Sequence, residues 1–566
     1  KWYTGKGSGI IVIKNMKANV EQTIIDDLQQ SLQETITAKN LNIKLEELPE
    51  IEVEVPREKT HGDYATNIAM VMASHFNQAP REVAQTFLNN FSCDLVDDIE
   101  IAGPGFINFT LNNNWLYNNL KLIRKRGCNF GNIELGQGQR VQVEFVSANP
   151  TGPLHVGHSR GAVVGDVLSN ILKTAGFKVD KEYYINDAGN QMDILAESTL
   201  IRYKQVCGYE VDMPDNSYAG DYLINIAEDL KEEYSRELLE KSKEEQLKIC
   251  KNYAYEKMLT RIKNDLKDYD IKFDNWFSES KLHQGNIEKA LDFLDDKGYL
   301  YKKEGALWFK ASDFGDDKDR VVIKSDDSYT YLAADIAYHF NKLERGYDQL
   351  INIWGADHHG YIPRVKAAIE AFGYDEDKLE VIIVQMVTLL SDGEKVSMSK
   401  RSGDFVTMED VIKEVGKDAA RYFYIMRSTD SHLDFDLDLA KEESTKNPVY
   451  YIQYAHARIH SIIEQVEQLP DNIDLSLLDS EAEIDLMKLL AQYPEEIKLS
   501  AQSRPPHHIA NYAYDLANAF HIFYNKCRVI IEDEKLRAAR LYLVQATRQV
   551  LCNVLELLGL DAPNQM

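Results

Sequence analysis

Apolar residues recur at helical spacing from about residue 17 to 45, with Ile24, Ile25, Leu28, Leu32 and Ile36 on one face, which predicts an amphipathic helix. IEVEVP (51–56) alternates like a strand, GDYATNIAMVMASHF (62–76) reads as a second helix, and IEIAGPGFINFTL (99–111) as a strand with a Gly-Pro-Gly corner. A helical connection, NNWLYNNLKLIRKRG, leads on to Gly131. The alternating run VQVEFVSA (141–148) then gives way to TGPLHVGHSRGAVVGDVLSNILKTAGF, where Val164, Leu168, Ile171, Leu172 and Ala175 have helical spacing and Gly176 is a good stop. Strand, tight loop and helix in that order predict the first unit of a doubly wound α/β domain, with KEYYIND as the next strand. From about 193 to 290 the pattern is charged and helical, like an insertion. Strand patterns return at ALWFK, RVVIK, QLINIWG and KLEVIIVQMV. From Lys441 onward nearly everything is helical, as in NPVYYIQYAHARIHSIIEQV and PPHHIANYAYDLANAFHIFYNKCRVI, and no internal repeat is visible.

Composition narrows the function classes. The chain has 566 residues, and about 150 residues per domain gives roughly four domains. It is 44% hydrophobic and 27% charged, ordinary for a folded soluble protein, and has no apolar run long enough to span a membrane. Its 64 basic and 91 acidic residues leave a net charge of −27, so a bulk electrostatic DNA binder is excluded and any nucleic-acid partner needs local, shaped contacts. Six scattered cysteines with no CxxC argue against a zinc knuckle or a disulfide framework and fit a reducing cytoplasm. The first 16 residues, with GKGSG lacking full phosphate-loop spacing, read as a tag or linker rather than a signal peptide.

Two motifs carry chemistry. His155-Val156-Gly157-His158 falls at a strand–helix junction, where free helix N–H groups and the dipole suit a polyphosphate. Gly157 lets a flat base or ribose approach the backbone, and both imidazoles can donate to phosphate oxygens. By itself, HxGH is equally a pair of surface histidines. Some 240 residues on, Lys395-Val396-Ser397-Met398-Ser399-Lys400-Arg401-Ser402-Gly403 is a loop of cations and small residues that can fold over a triphosphate. In an acidic chain such a basic loop is less expected than usual. GADHHGY places Gly355, Asp357, His358 and His359 after a strand-like run, where open α/β sheets bind ligands. A metal is the alternative there, but no third cluster supports it and none is expected.

Taken together, these motifs resemble the HIGH and KMSKS signatures of class I aminoacyl-tRNA synthetases. VEFVSANPTGPLHVGHSRGAVVGD, YYINDAGNQ, YLAADIAYH, GADHHGY, MSKRSGDFVTMEDVI, GKDAARYFYIMRS, LLGLDAPNQM and, near the start, VPREKTHGDYATNIAM resemble the arginyl-tRNA synthetase family from about residue 18 to the end. One departure is Ser397, which stands where KMSKS has its first lysine, while Met398, Ser399 and Lys400 are retained.

The resemblance implies a multidomain fold. It would comprise an α+β tRNA-contacting module at 17–112, a Rossmann-like α/β catalytic domain at 113–440 with the helical insertion, and an all-α anticodon-binding bundle at 441–566. It implies an enzyme that activates L-arginine with ATP, carried as its Mg²⁺ complex and with no tightly bound cofactor, and passes arginine to the terminal adenosine of tRNA(Arg). A cytoplasmic monomer with no membrane or DNA partner is expected. By the family pattern, His155, His158 and Lys400 act on phosphate. Val156, Gly157, Gly355, Asp357, His358, Met398, Ser399 and Arg401 join them around ATP. Glu144, Ser147, Asn149, His158, Tyr331, Asp335, His359 and Gln385 surround arginine, whose planar five-donor fork needs carboxylates and other acceptors. Tyr331 and Asp335 are i, i+4 and share a face on any helix.

In the last domain Tyr450, Gln453, Tyr454 and Arg458 are candidates for tRNA contact, since aromatics can stack on splayed bases, although bundle-core tyrosines look the same in sequence. Residues 441–566 hold 12 basic and 18 acidic residues, so even these contacts must be local. The 240 residues between the two signatures leave little room for an editing domain. Competing identities are a cysteinyl enzyme, whose zinc cysteines are missing, a small HxGH nucleotidyltransferase, and a non-catalytic tRNA-binding paralogue.

Overall fold

A computed structural model describes residues 20–39, 48–56, 58–396, 406–466, 469–470 and 472–566. The expected linker at 1–16 and the phosphate candidates Ser397, Met398, Ser399, Lys400 and Arg401 lie outside the described residues. The chain divides into two compact units, one built from residues up to 130 with 462–495 and 519–550, the other from 131–461, 496–518 and 551–566.

The first unit begins with α1 (Val20–Ala38), whose buried Ile24, Leu28, Leu32 and Ile36 are the predicted face. IEVEVP keeps its alternation, with Ile51 and Val53 buried, but forms only an isolated bridge between Glu54 and Ala65. The stretch expected as one helix splits into β1 (Tyr64–Thr66) and α2 (Ile68–Phe76), followed by α3 (Pro80–Leu88) with its proline in the first turn. The Gly-Pro-Gly corner separates two strands, β2 (Val96–Ala102) and β3 (Phe106–Leu111), in an antiparallel sheet of order β1-β3-β2. Met72, Val83, Phe87, Ile107 and Phe109 pack with the α1 face in one core, and α4 (Asn114–Arg126) follows.

The second unit is centred on a five-stranded parallel sheet of order β11-β10-β4-β5-β6. Its strands are β4 (Arg140–Glu144), β5 (Lys178–Ile185), β6 (Asn275–Ser278), β10 (Gln349–Gly355) and β11 (Leu379–Val384). Between β4 and β5 runs α5 (Val156–Thr174), a helix buried on most of its surface, with the polar Ser159, Arg160, Asp166 and Ser169 among its buried residues. From β4 the chain winds one way to β5 and β6 and later the other way to β10 and β11. The reversal lies between β4 and β10, paired from Gln349↔Val141 to Asn352↔Glu144, and ligand crevices open at the carboxyl ends of strands at such a reversal.

The 193–290 stretch holds α6 (Asn190–Val206), α7 (Tyr222–Tyr234) and α8 (Lys243–Asp268), packed around Leu195, Tyr203, Leu223, Leu230, Cys250 and Met258. It is not wholly an insertion, because β6 completes the central sheet. That strand is short and flanked by charge, so its pattern is too brief to read. After α9 (Asn286–Asp296), ALWFK and RVVIK form not central strands but a separate antiparallel sheet of β7 (Leu300–Lys303), β8 (Ala306–Phe309) and β9 (Arg320–Ile323). Next come α10 (Tyr331–Glu344) and α11 (Ile362–Ala371).

KLEVIIVQMV is likewise broken, with β11 ending at Val384 and β12 (Val387–Ser391) joining β13 (Glu394–Lys395) and β14 (Leu433–Asp436) in another sheet. At the break, the Gln385 N–H leaves the ladder and donates to the Thr429 carbonyl at 2.9 Å. The helices α12 (Met408–Val415), α13 (Lys417–Ile425) and α14 (Leu437–Lys441) precede four long C-terminal helices. These are α15 (Pro448–Ile463), α16 (Glu481–Ser503), α17 (His507–Lys526) and α18 (Glu534–Leu558). Among the described residues no helix is long and apolar enough to cross a membrane.

Candidate active site

At the end of β4 the backbone makes an unusual turn. Val146 and Ser147 both adopt positive φ, 67° and 43°, and a β-branched residue there is strained. The surroundings hold the turn in place. Ser147 Oγ donates to Glu144 Oε1 at 2.9 Å and accepts from the Tyr184 N–H at 3.2 Å, while the Tyr183 hydroxyl donates to the Ala148 carbonyl at 2.8 Å. The result lifts Ser147, Ala148 and Asn149 into a cavity of about 760 Å³.

The start of α5 forms another part of the wall. His155 is the N-cap, and its Nδ1 accepts from the Gly157 N–H at 3.1 Å. His158 reaches back so that its Nδ1 accepts from the His155 N–H at 3.3 Å. Two imidazoles thus replace the usual hydroxyl and carboxylate of a capping box, their rings 3.8 Å apart. Because each Nδ1 is an acceptor, each neutral ring carries its proton on Nε2. Burial pushes the His158 pKa down to about 3 and lowers that of His155, so both rings are neutral donors in the ligand-free site. A Cβ at Gly157 would lie 2.8 Å from the His155 ring, so glycine there lets the imidazole fold onto the helix end.

Three carboxyl groups line the same cavity, Glu144, Asp335 and Glu279. Glu144 is neutralised by Lys342, whose wholly buried ammonium donates to Oε2 at 2.5 Å and to Asn352 Oδ1 at 2.9 Å. Asn352 in turn faces His339 Nε2 at 3.0 Å, and His339 Nδ1 faces the Asp335 carbonyl at 2.8 Å. Donors and acceptors alternate consistently when His339 is neutral with its proton on Nδ1, and burial pushes its pKa down to about 3. This chain of hydrogen bonds links the Asp335 turn of α10 to the strained turn after β4.

Asp335 has no ion pair to a described lysine or arginine, and accepts a hydrogen bond at 2.6 Å from the Tyr361 hydroxyl. Burial lifts its pKa to about 7, with the charges of Glu279 and Glu144 adding to the rise and the Tyr361 bond opposing it. Burial also raises the pKa of Glu279, which is bonded to the Tyr184 hydroxyl, lies 3.6 Å from His283, and accepts from the Asn186 amide at 3.0 Å when that amide is turned with its nitrogen toward the carboxylate. A carboxyl pair held above its ordinary range by desolvation is relieved by a ligand that brings positive charge.

Of the arginine candidates, Glu144, Ser147, Asn149, His158, Tyr331, Asp335 and Gln385 line the cavity, Tyr331 being two-thirds exposed at 66%. His359 does not; it is exposed in the 356–361 turn, where the 3₁₀ path directs Tyr361 inward instead. Of the ATP candidates, His155, Gly157, Gly355, Asp357 and His358 line the cavity, while Val156 is buried beneath the helix start. Asp357 and His358 form an exposed pair 3.3 Å apart. Residues that the sequence analysis did not single out are Glu279, Tyr361, Tyr184, Asn186, His339, Asn352 and Trp354. A signal existed for Lys342, which falls seven residues after Asp335 on one helix face.

The segment carrying Lys400 is outside the described residues, but its flanks are not. The Val396 N–H donates to the Leu389 carbonyl at 2.9 Å, the Val156 N–H to the Val406 carbonyl at 3.0 Å, and the Met408 N–H to the Leu154 carbonyl at 2.8 Å. Thr407 then caps α12.

Away from the cavity, Tyr450 and Tyr454 stack at 6.1 Å, and Arg458 lies 4.5 Å over the Tyr454 ring. Gln453 donates to Asp418 Oδ2 at 2.6 Å and to the Asp561 carbonyl at 3.0 Å.

Three family models match the chain. An arginyl tRNA synthetase N-terminal domain covers residues 22–111, the class I (R) tRNA synthetase catalytic domain covers 121–477, and a DALR anticodon binding domain covers 452–566. The arginine–tRNA ligase of Bacillus subtilis is 49% identical over 554 residues, spanning 96% of this chain and all of that protein. That of Desulforamulus reducens is 48% identical over 563 residues, 98% of this chain and all of its own. The structure of Thermus thermophilus arginyl-tRNA synthetase superposes with a TM-score of 0.75 at 22% identity, covering 97% of this chain and 100% of that one, which supports the fold.

Proposed function

Because this chain belongs to the arginyl-tRNA synthetase family of class I tRNA synthetases, we propose that its cavity holds L-arginine against the triphosphate of ATP and forms arginyl-adenylate there. The reaction catalysed is the charging of tRNA with arginine at the expense of ATP. The arginine carboxylate attacks the α-phosphorus and pyrophosphate leaves. The 2′-hydroxyl of the terminal adenosine of tRNA(Arg) then attacks the arginyl carbonyl and AMP leaves. Neither step needs a covalent intermediate on the protein, so positioning and stabilisation of developing charge supply the rate.

The single observation behind this reading is the charge pattern of one cavity. Glu144 is already paired with Lys342, which leaves Asp335 and Glu279 for a guanidinium. The same cavity presents two Nε2–H imidazoles at a helix N-terminus, suited to phosphate oxygens. Tyr331 covers the arginine side chain from the mouth, Ser147 and Asn149 lie beside its reacting carboxylate, and Gln385 joins them. His155 and His158 donate to the phosphates as charge moves from the α-phosphorus to pyrophosphate. Lys400, with Met398, Ser399 and Arg401 around it, holds the departing pyrophosphate. Gly355, Asp357 and His358 border the nucleotide. Mg²⁺ enters with ATP as part of the substrate, offsetting triphosphate charge. The module at 17–112 and the helices at 441–566 contact tRNA, and Tyr450, Gln453, Tyr454 and Arg458 face the anticodon. An amino acid without a guanidinium leaves these two desolvated carboxyl groups without a cationic partner, which makes rejection strong, so no editing site is required.

Aminoacylation of bulk tRNA with each of the twenty amino acids tests this reading. Arginine alone is expected to be charged. Charging with cysteine or lysine at a comparable rate, or none with arginine, would overturn it.

A further inference from the structure

Arg160 stands in the second turn of α5, two residues after His158, and is completely buried. Its guanidinium forms no ion pair with a described carboxylate. Instead its donors go to four main-chain carbonyls: Nε to Tyr424 at 3.4 Å, Nη1 to Gln385 at 2.9 Å and Ser431 at 2.8 Å, and Nη2 to Ser428 at 2.7 Å. Burial pushes its pKa down to about 10, partly offset by the charge of Asp430, so it remains a cation at neutral pH. A buried cation whose hydrogen bonds all go to neutral carbonyls is costly, and an apolar residue in its place would leave those carbonyls without this donor. What the guanidinium provides and an apolar side chain would not is a fixed planar fork joining separate pieces of backbone.

Those pieces lead toward the reacting phosphates. Tyr424 lies in the last turn of α13, Gln385 is the break between β11 and β12, and Ser428 and Ser431 bound one turn. The break and the turn are also tied directly, through the Gln385 N–H to Thr429 and the Leu433 N–H to the Met386 carbonyl at 3.2 Å. Val384, Gln385 and Met386 line the cavity, and β12 runs from them to β13 and the segment that carries Lys400. The far end of that segment is fastened to residues 154–156 through Val406 and Met408. Both flanks of the Lys400 segment are thereby referred to the helix start that holds His155 and His158, the far flank by main-chain bonds and the near flank through one side chain.

We propose that Arg160 is a positioning residue for adenylate formation. Through the main chain at Gln385 and the Ser428–Ser431 turn, it fixes the near flank of the Lys400 segment in register with His155 and His158. It touches neither substrate. This inference rests on the reading that adenylate forms in this cavity.

The test is Arg160→Lys, which keeps the charge but replaces the planar fork with a single ammonium. ATP–pyrophosphate exchange with bulk tRNA present is measured beside the unaltered protein. A misplacement near 1 Å costs on the order of 10²-fold, so kcat is expected to fall by about that factor while the arginine KM stays within about threefold. A kcat within about threefold of the unaltered protein, or an arginine KM that rises in step with the lost kcat, overturns the proposal. If the lysine variant does not fold, Asp430→Ala decides. This exposed change removes the 2.5 Å bond from the Ser428 hydroxyl that shapes the turn. It is expected to lower kcat about three- to tenfold with the arginine KM unchanged, and a kcat within about twofold overturns the proposal. Absence of arginine-dependent exchange in the unaltered protein would instead refute the underlying reading of the cavity.

Discussion

Replacing Asp335 with alanine is expected to weaken arginine binding by about 3 kcal/mol or more, on the order of 10²–10³-fold, and to leave ATP binding unchanged. The size follows from what the carboxyl group does. It is held in a desolvated site where the Tyr361 hydroxyl donates to it and the charge of Lys342 acts on it without an ion pair. An arriving guanidinium and the carboxylate desolvate together, and each is satisfied by the other. Removing the carboxylate leaves the substrate cation buried without its partner, which is the expensive half of breaking such a pair. Calorimetry with arginine and with ATP, titrated separately, reads the two affinities.

The same group sets a pH dependence. In the ligand-free site Asp335 is protonated below about pH 7, and bound guanidinium favours its ionised form. The complex therefore carries fewer protons than the free protein below pH 7, so arginine binding releases a proton there and strengthens as pH rises toward 7. The arginine Kd is expected to rise about tenfold for each unit below that point and to level off above it. Asp335→Asn should flatten the profile. An arginine affinity unchanged by Asp335→Ala would return this residue to a structural role on α10.

His158→Ala is expected to lower kcat by about 10²–10³ while changing the arginine KM little. His158 presents an Nε2–H donor from a ring fixed at Nδ1 by the His155 backbone. That pre-set orientation stabilises oxygens that gain charge in the transition state more than those of bound ATP. Loss of a donor of this kind appears in kcat rather than in uniform binding. Lys400→Ala should behave alike, since its charge meets the pyrophosphate only as it departs. Steady-state exchange kinetics over a range of arginine and ATP concentrations check both variants. A change confined to the arginine KM would refute the phosphate assignment of His158.

How far the sequence reveals this site depends on how local each feature is. His155, Gly157 and His158 are legible because they share one turn at a strand–helix junction. Tyr331 and Asp335 are legible because helical spacing puts them on one face, which α10 does. Glu279 is not, since it sits on a short 3₁₀ turn after a four-residue strand inside a charged stretch, and its role comes from Tyr184 and Asn186 on another strand end. The positive-φ pair Val146 and Ser147 is hidden for a different reason. No glycine marks the turn, and the strain is held by Tyr183, Tyr184 and Glu144. Arg160 reads as one more surface cation because its partners are carbonyls, which leave no trace in residue type.

The broad layout was more legible than its strands. The hydrophobic run at 378–387 predicts one strand, yet tertiary hydrogen bonds at Gln385 divide it between two sheets.

The most direct test of the account is the charging of tRNA with arginine against citrulline, which keeps the length and planarity of the side chain but carries a neutral urea. If Asp335 and Glu279 recognise a guanidinium as ionised acceptors, citrulline should be disfavoured by about 10⁴ or more in kcat/KM. Citrulline charged within about tenfold of arginine would contradict the claim that this cavity selects its substrate by charge.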